Sequence, residues 1–323
     1  MTDDNQGVKG DIVLECRGIH HWFGDNKVLY DINLSIIRGE IVSLVGPSGC
    51  GKSTLLRAIV GTHPPCEGAV AVKQDDSGQA VPVKGPGRDR GIVYQQYTLF
   101  PFLTARENVA IGLMLDQTSI PFRLFRFPTW RALKKKHLEE ADELLTTLKL
   151  GAALHLYPHE MSGGMRQRVA IAQALIMKPS VLLLDEPFGA LDEATREELQ
   201  KMLLGLYEEN RKARTEGRTP PHTIMIVTHE LNEAIYVGDR LVALSQHWDA
   251  GDRGHDAHPG ATVVYDRMMP VFSADQVPDF TQFRREKETL RAVAFAAKHI
   301  MDRSEHVTFW DDYNRKKGWA GTL

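Results

Sequence analysis

Short apolar runs rich in β-branched residues alternate along this chain with segments of helical periodicity. The runs Ile12–Cys16, Val28–Ile37 and Ile41–Val45 predict strands. A glycine cluster follows the third run and opens a helical pattern over Ser53–Val60. Further strands are predicted at Gly91–Gln95, Val181–Asp185 and Thr223–Thr228, and further helices at Gly163–Met177 and Glu193–Tyr207. Strands that alternate with helices predict an α/β sheet.

The strand signal disappears between Glu107 and Leu150, where the sequence favours helix. Gly151 is the expected C-cap at the end of this stretch, since glycine is the usual residue in that position. We therefore predict a helical subdomain inserted into the α/β body. The polar segments Glu208–His222 and Gln246–Gly260 are expected to be surface loops.

The glycine cluster has the pattern of a phosphate-binding loop. It begins at Gly46, reads GPSGCGKST, and lies between a predicted strand and a predicted helix. Glycines let several backbone N–H groups face one anion, while Lys52 reaches the β- and γ-phosphates and the Ser53 hydroxyl ligates Mg²⁺. The predicted nucleotide contacts are Gly46, Pro47, Ser48, Gly49, Cys50, Gly51, Lys52, Ser53 and Thr54. The alternative is a structural glycine-rich turn, in which Cys50 is only a small loop residue.

Two adjacent carboxylates follow the apolar run VLLL. Asp185 is expected at the carboxyl end of a buried strand beside the phosphate loop, where it can hold Mg²⁺ through water. Glu186 then faces the γ-phosphate and can orient or deprotonate the attacking water. The alternative is a strand-end Asp–Glu pair that opens a turn at Pro187.

Two more motifs predict a second half of the site. Gln95 follows its strand directly, and the segment MSGGMRQR opens a helix for which Ser162 is a good N-cap. Gly163 and Gly164 expose N–H groups at the positive end of that helix. One triphosphate does not need two phosphate cradles, so we expect the second cradle to serve the nucleotide of a neighbouring copy.

The motifs GPSGCGKST, Gln95, MSGGMRQRV, LLLDEP, GALD and VTH occur in an order that resembles the ATP-binding-cassette (ABC) ATPases. The resemblance implies a P-loop NTPase cassette at residues 11–245, with a RecA-like core, an antiparallel β subdomain and a helical subdomain at about 97–178. Residues 246–323 form a C-terminal extension. The implied ligands are ATP and Mg²⁺, and the implied activity is ATP hydrolysis.

The resemblance also implies residue roles. Catalysis is expected of Lys52, Gln95, Glu186 and His229, and Mg²⁺ binding of Ser53, Gln95 and Asp185. Ser162, Gly163 and Gly164 would act on the ATP of a second copy in a head-to-tail dimer, and Asp192 would link the two sites. Phe23, with Trp22 next, is the expected adenine-stacking aromatic; simple packing is the alternative.

Within this family the chain looks most like the ATPases of nitrate, sulfonate and taurine importers, although Gln173 stands where arginine is usual. This implies permease subunits as partners, an external binding protein as an indirect one, and a peripheral location on the cytoplasmic face of the membrane. Tyr97–Thr104 is the candidate permease contact, with core packing as the alternative. An exporter or lipid-trafficking ATPase, a non-transport ABC protein and a small-molecule kinase are the competing functions.

Composition agrees with a globular protein and excludes several classes. The 323 residues are 42% hydrophobic and 25% charged, with a net charge of -3, which argues against a nucleic-acid binder. The acidic, polar first residues lack the pattern of a secretory signal, so a cytosolic chain is expected. Three cysteines without CxxC spacing predict neither a disulfide framework nor a zinc site.

Two segments exceed the family pattern. Leu115–His137 carries six basic residues against one acid, interleaved with four aromatics, and we expect it to contact anionic lipid or the permease. The alternative is a packed loop with a solvated basic face. Phe283–Arg303 is predicted to be one amphipathic helix. His247, His255 and His258 are expected in a solvated loop rather than a metal site.

Overall fold

The strands predicted around the glycine cluster lie in two different sheets. The structure is a computed structural model that describes residues 11–73, 78–96, 99–249, 260–269, 272, 284–295, 301–302 and 306. In chain order, its strands are β1 (Ile12–Phe23), β2 (Asn26–Ile37), β3 (Ile41–Val45), β4 (Glu67–Val72), β5 (Val81–Pro82), β6 (Arg90–Val93), β7 (Val181–Asp185), β8 (Ile224–Val227), β9 (Arg240–Ser245), β10 (Trp248–Asp249), β11 (Thr262–Met268) and β12 (Met301–Asp302).

The helices lie mostly between β6 and β7 and on either side of β8. They are α1 (Lys52–Val60), α2 (Ala105–Gln117), α3 (Ile120–Phe125), α4 (Phe127–Thr147), α5 (Gly163–Leu175), α6 (Glu193–Thr215), α7 (Leu231–Val237) and α8 (Arg284–Leu290). Short 3₁₀ turns occur at Gly151–Ala153 and Pro158–Glu160, and a π-helical turn at Arg291–Phe295. The predicted α/β class and the helical stretch between two strands are confirmed.

The main sheet has the order β11-β9-β3-β8-β7-β6. The pairs from β9 to β6 are parallel, and β11 joins the edge antiparallel to β9. All residues of β3, β8 and β9 are buried, which explains why these strands are mostly apolar and do not alternate with exposed polar residues. Because β3, β8, β7 and β6 are parallel neighbours, the loops after them meet at one edge of the sheet.

Each face of the main sheet carries its own core. Successive residues of β3 alternate between the two cores, with Ile41 and Val45 on one face and Val42 and Leu44 on the other. The antiparallel sheet β2-β1-β4-β5 and α1 cover the face of Val42 and Leu44. Helices α2, α4, α5 and α6 pack in the core of the opposite face.

The helical region is tied together by specific polar contacts. Thr104 and Glu107 form a capping box at the start of α2. Arg106 of α2 forms an ion pair with Asp142 of α4, with a distance of 2.5 Å between Nη2 and Oδ2. In α4 the buried residues begin only at His137, so the first half of this helix extends beyond the core.

Two helix ends differ from the prediction. Helix α4 ends at Thr147, and Lys149 rather than Gly151 takes the left-handed conformation, with φ of 60°. Gly151 instead begins a 3₁₀ turn. Helix α6 continues to Thr215, into the predicted loop Glu208–His222, because its buried Asn210 donates to the carbonyl oxygen of Gly39 at 3.1 Å.

The strands β4, β5 and β9 to β12 are absent from the sequence prediction, and β10 lies within the predicted loop Gln246–Gly260. Strand β9 begins with Arg240, whose side chain is 0% exposed. Arg240 donates from both Nε and Nη2 to the Asp266 carboxylate at 2.7 Å, and this pairing raises the pKa of the arginine against the opposing effect of burial. A partner on β11 therefore makes a buried arginine compatible with a central strand.

The segment beyond residue 245 contributes to the main sheet. Strand β11 lies within the predicted extension, and the indole N–H of the buried Trp248 donates to the Gly260 carbonyl oxygen at 2.9 Å. The prediction of one helix over Phe283–Arg303 is wrong in extent, since α8 ends at Leu290 and β12 is a strand that pairs with β10. The domain boundary at residue 245 stays a prediction. His255 and His258 lie outside the described residues.

Candidate functional site

The predicted phosphate-binding loop joins the carboxyl end of β3 to α1. Gly51 is the N-cap of α1 with φ of 96°, a left-handed value that favours glycine. A Cβ there would lie 2.8 Å from Leu29 Cδ2 and 2.9 Å from Val28 Cγ1, so β2 packs directly against the loop. In this described segment no side chain caps α1 and its first turn has no acidic residue. The N–H groups at the start of α1 therefore suit an anion.

Lys52 lies over this loop. The residue is only 7% exposed, and its Nζ donates to the carbonyl oxygens of Gly46 at 2.7 Å and Pro47 at 2.9 Å. Ser48, Gly49 and Ser53 are exposed, whereas Pro47 and Thr54 are half-buried. Burial raises the pKa of the Cys50 thiol, so this cysteine is a neutral packing residue. The loop thus combines a cation with exposed hydroxyl and backbone groups.

The remaining predicted groups of this half-site follow the strands beside β3. Val227 of β8 is opposite both Leu44 of β3 and Asp185 of β7, so the parallel strands end at the same level. The structure brings to this edge the side chains of Lys52, Gln95, Asp185, Glu186 and His229. Residues more than 170 positions apart in sequence thereby share one edge of the sheet.

Glu186 lies between two other predicted catalytic residues. Its Oε1 is 3.5 Å from His229 Nδ1. A Cβ built on Gly189 would lie 3.8 Å from Glu186 Oε2 and 3.5 Å from Gln95 Nε2, so Gln95 and Glu186 flank the same point. Glu186 has a positive φ of 47°, and its backbone N–H donates to the Val227 carbonyl oxygen at 2.9 Å. The strained backbone is thus anchored to the neighbouring strand.

Burial raises the pKa of Asp185, and the adjacent Glu186 charge raises it further, against the lowering influence of Arg57 and Lys52. The local cations therefore do not fully compensate this carboxylate. Its oxygens, the Ser53 hydroxyl and the Gln95 amide oxygen are the hard donors that Mg²⁺ prefers. The donor set at this edge fits a magnesium ion.

A polar chain behind His229 has no counterpart in the sequence analysis. The Thr228 hydroxyl donates to Glu233 Oε2 at 2.7 Å and accepts from the Glu230 N–H at 3.1 Å. Arg196 Nε lies 3.5 Å from Glu233 Oε1, and burial raises the pKa of Glu233. These contacts hold the turn that carries His229. The signal in the sequence is a threonine at the strand end followed five residues later by a glutamate on a helix.

The predicted second cradle is the start of α5. The Ser162 hydroxyl accepts from the Met165 N–H at 3.2 Å, which confirms Ser162 as the N-cap. Ser162 is exposed, while Gly163 is half-buried and Gly164 is buried. A Cβ on Gly164 would lie only 1.8 Å from Thr195 Cγ2. The start of α5 is therefore pressed against the start of α6, and only glycine fits there.

Asp192 fixes the other side of this contact. It is the N-cap of α6 and accepts from the backbone N–H of Thr195 at 3.0 Å and from its hydroxyl at 2.8 Å. These two bonds hold the pKa of Asp192 below its usual value. Thr195 thus joins Asp192 to Gly164, a link that the residue types alone do not indicate.

The two helix starts that are predicted to bind anions lie on opposite faces of the main sheet. Leu55, Leu56 and Ile59 of α1 belong to the core beneath the antiparallel sheet. Val169 and Ile171 of α5 belong to the other core. The structure therefore does not bring Ser162 and Lys52 into a single cradle.

The aromatic pair lies at the tip of the β1–β2 hairpin. Phe23 is 50% exposed and Trp22 is 40% exposed, so neither is a core residue. The Phe23 ring makes an edge contact with His21 at a centroid distance of 4.7 Å. The start of β2, which follows this tip, packs on the phosphate loop at Gly51.

Comparisons with known proteins agree with this geometry. Residues 29–189 match the ABC transporter family. The chain is 38% identical to the aliphatic sulfonates import ATP-binding protein SsuB of Bacillus subtilis, over 80% of this chain and 85% of that protein. It is also 38% identical to the nitrate import ATP-binding protein NrtD of Synechococcus elongatus, over 81% of this chain and 84% of that protein.

A solved ATP-binding cassette, described as a dimer in a post-hydrolysis state with ADP and Pi, has a TM-score of 0.57 at 29% identity. The match covers 80% of this chain and 100% of the solved chain. The predicted resemblance and the cassette fold are confirmed. The chain belongs to the ABC transporter family, as an ATP-binding and ATP-hydrolysing cassette of the type found in sulfonate and nitrate importers.

Proposed function

We propose that two copies of this chain enclose two ATP molecules head to tail and hydrolyse them to drive an importer of nitrate, sulfonate, taurine or a related small solute. The observation that supports this most strongly is the pair of anion-binding helix starts on opposite faces of one sheet. A single copy cannot close both around one triphosphate. A second copy, rotated by a two-fold axis, would place its Ser162 opposite the Lys52 of the first.

The phosphate loop would bind the triphosphate through backbone N–H groups and Lys52. Lys52 has three N–H donors and gives two of them to carbonyl oxygens, so contact with both the β- and the γ-phosphate would replace at least one carbonyl contact. Phe23, at the hairpin tip, would stack on the adenine. Ser53, Asp185 and Gln95 would hold Mg²⁺, which supplies charge neutralisation at the β- and γ-phosphates.

Glu186 would act as the general base. Its carboxylate accepts a proton from the water that attacks the γ-phosphorus, the new P–O bond forms in line, and the bond to the β-phosphate oxygen breaks to release ADP. His229, 3.5 Å from Glu186, would orient that carboxylate and contact the γ-phosphate. The chain Thr228–Glu233–Arg196 would hold His229 in place.

The permease contact would lie just before α2. Phe100 and Phe102 are exposed, with ring centroids 5.8 Å apart. Buried Asn108 holds this segment, since its side chain donates to the Leu103 carbonyl oxygen at 2.9 Å and accepts from the Phe100 N–H at 2.8 Å. Tyr97 and Thr98 lie outside the described residues.

No helix in the described part of the chain is long and apolar enough to cross a bilayer. We propose that permease subunits place this chain on the cytoplasmic face of the membrane, with an external binding protein as an indirect partner. The relatives named as sulfonate and nitrate importers support this assignment.

The proposal is tested with Glu186→Gln, which removes the base but keeps the size and hydrogen-bonding capacity of the side chain. With ATP the variant should form a dimer, measured by size-exclusion chromatography with light scattering, because bound ATP is no longer turned over. Adding Ser162→Arg to this variant should leave ATP binding intact and abolish the dimer. A Glu186→Gln protein that binds ATP yet stays monomeric would contradict an ATPase site formed by two copies, which we call the composite site.

The import assignment has a separate test. The tagged chain should co-purify with two permease subunits, and their gene neighbourhood should encode a periplasmic binding protein. Permeases without a binding protein would favour an exporter or a lipid-trafficking system.

A further inference from the structure

The first half of α4 is a projecting helix that the ATPase site does not use. Its ten residues from Phe127 to Lys136 include none that is buried, whereas His137, Ala141 and Leu145 further along are buried. At about 1.5 Å per residue, this half of the helix is roughly 15 Å long. Helix α3 leads into it through Arg126, whose N–H donates to the Phe122 carbonyl oxygen at 2.9 Å. We call residues 120–136 the α3–α4 corner.

The corner exposes large aromatic side chains. Phe125 is 82% exposed and Phe127 is 55% exposed, and the Phe127 ring packs only loosely against Trp130, at a centroid distance of 5.5 Å. A groove of about 750 Å³ runs from Phe127 along α4 to Glu139. Phe125 ends α3 and Phe127 begins α4, so both exposed rings lie at the same corner, and together they indicate a surface that is covered in the working protein.

The corner is also strongly basic. From Gln117 to Leu138 the sequence contains six Lys and Arg residues and no Asp or Glu. Arg123 is used internally, since it donates to Thr118 Oγ1 at 2.8 Å and to the Met114 carbonyl oxygen at 2.9 Å at the end of α2. The other five cations lie on or beside the projecting helix: Arg126, Arg131, Lys134, Lys135 and Lys136.

The contacts of these five cations are local and weak. Arg126 lies over the Phe122 ring and Lys134 over the Trp130 ring, both at 5.8 Å, and the Lys134 charge also acts on Glu107 in the first turn of α2. Lys135 and Lys136 reach Glu139 and Glu140 at 3.7 and 3.8 Å, but both lysine side chains are largely exposed. The corner therefore presents positive charge on flexible side chains around exposed aromatic rings.

We infer that the α3–α4 corner binds directly to the anionic headgroups of a lipid bilayer, with Phe125 and Phe127 inserted at the water–lipid interface. Charge complementarity selects an anionic surface, and exposed, weakly paired cations suit a fluid array of headgroups better than the fixed acceptors of a protein partner. The binding needs no nucleotide, and it is independent of the composite ATPase site.

The test uses the full, nucleotide-free chain and co-sedimentation with vesicles. The wild type should bind vesicles of phosphatidylcholine and phosphatidylglycerol in equal parts, and bind phosphatidylcholine alone far more weakly. Binding should fall steeply with added salt. Neutralising Arg131, Lys135 and Lys136 to Gln should weaken binding to the anionic vesicles by roughly a hundred-fold, at about five-fold per cation.

A matched control changes charge by the same amount elsewhere. Lys201, Arg211 and Lys212 are exposed on α6, and their triple Gln variant should bind vesicles as the wild type does. Phe125→Ala with Phe127→Ala should weaken binding at every salt concentration. Unchanged ATPase activity would show that the corner variants are folded.

Three results would overturn the inference. The first is a wild-type chain that does not bind anionic vesicles. The second is an equal loss of binding in the corner and α6 variants, which would indicate non-specific attraction. The third is a corner variant that binds vesicles normally but loses its permeases on purification, which would identify a protein as the occupant.

Discussion

The edge of the main sheet that carries Lys52 and Glu186, which we call the nucleotide edge, and the α3–α4 corner both contain charged side chains. The two regions hold these side chains in different ways. At the edge, Lys52 is tied to two carbonyl oxygens and Glu186 is anchored through its backbone to β8. At the corner, Lys135 and Lys136 make only long, exposed ion pairs with the next turn. Chemistry on one phosphorus atom requires fixed positions, whereas attraction to a fluid surface does not.

Burial explains the difference. The edge lies where parallel strands end, so its side chains directly follow strands that are hydrogen-bonded within the sheet. The corner includes the half of α4 that has no buried residue. A substitution at the edge should therefore change rates or folding, and one at the corner should change only binding to a surface.

The largest expected effect is on turnover. Glu186→Gln should lower kcat by on the order of 10²–10⁴-fold, because it removes the proton acceptor for the attacking water. ATP affinity should stay near the wild-type value. Steady-state phosphate release and nucleotide binding measure the two quantities.

Glu230→Gln is the matched control for this substitution. Glu230 is an exposed carboxylate with Oε1 3.8 Å from His229 Nε2, so it also lies beside the histidine. Its kcat should stay within a few-fold of the wild type. Equal losses in the two variants would remove the special role of Glu186.

The next effect is on stability at the α5–α6 contact. Gly164→Ala should lower the free energy of unfolding by about 1–3 kcal/mol, because the new methyl group collides with Thr195 Cγ2. Adding Thr195→Ser removes that methyl group and keeps the hydroxyl that donates to Asp192. Urea unfolding should show that the double variant recovers most of the loss. No recovery would mean that the contact with Thr195 is not the cause.

The smallest effect is expected at the corner. The triple variant of Arg131, Lys135 and Lys136 to Gln should change the free energy of unfolding by less than about 0.5 kcal/mol per residue, because exposed ion pairs contribute little. Its ATPase rate without lipid should match the wild type. A large loss of either would show that the corner is part of the folded core after all.

The sequence predicts the nucleotide edge well, because its motifs specify local structure and its strands are apolar. Strand, glycine loop and helix around Lys52 follow from spacing, and β7 ends at Asp185 as predicted. Contacts between distant segments are different. The pairing of Arg240 with Asp266, and of Gly164 with Thr195, depends on which elements become neighbours, and no local pattern indicates this.

The same limit explains the errors. Helix α6 extends to Thr215 because Asn210 is satisfied by a carbonyl oxygen 171 residues away. Arg123 belongs by composition to the basic segment, but in the fold it hydrogen-bonds at the end of α2. Long-range partners thus decide whether a polar residue ends a helix, stabilises one or stays in solvent.

If each ATP is hydrolysed between two copies, two variants that are inactive alone should complement each other when they are mixed. Lys52→Ala removes the phosphate-loop cation and Ser162→Arg blocks the second cradle, so each variant alone should be inactive. In a mixed dimer, both lesions fall on one composite site, and the other site is intact. Equal mixing should restore about one quarter of the wild-type ATPase rate, because half of randomly paired dimers are mixed. A mixture as inactive as its separate components would contradict hydrolysis of ATP between two copies.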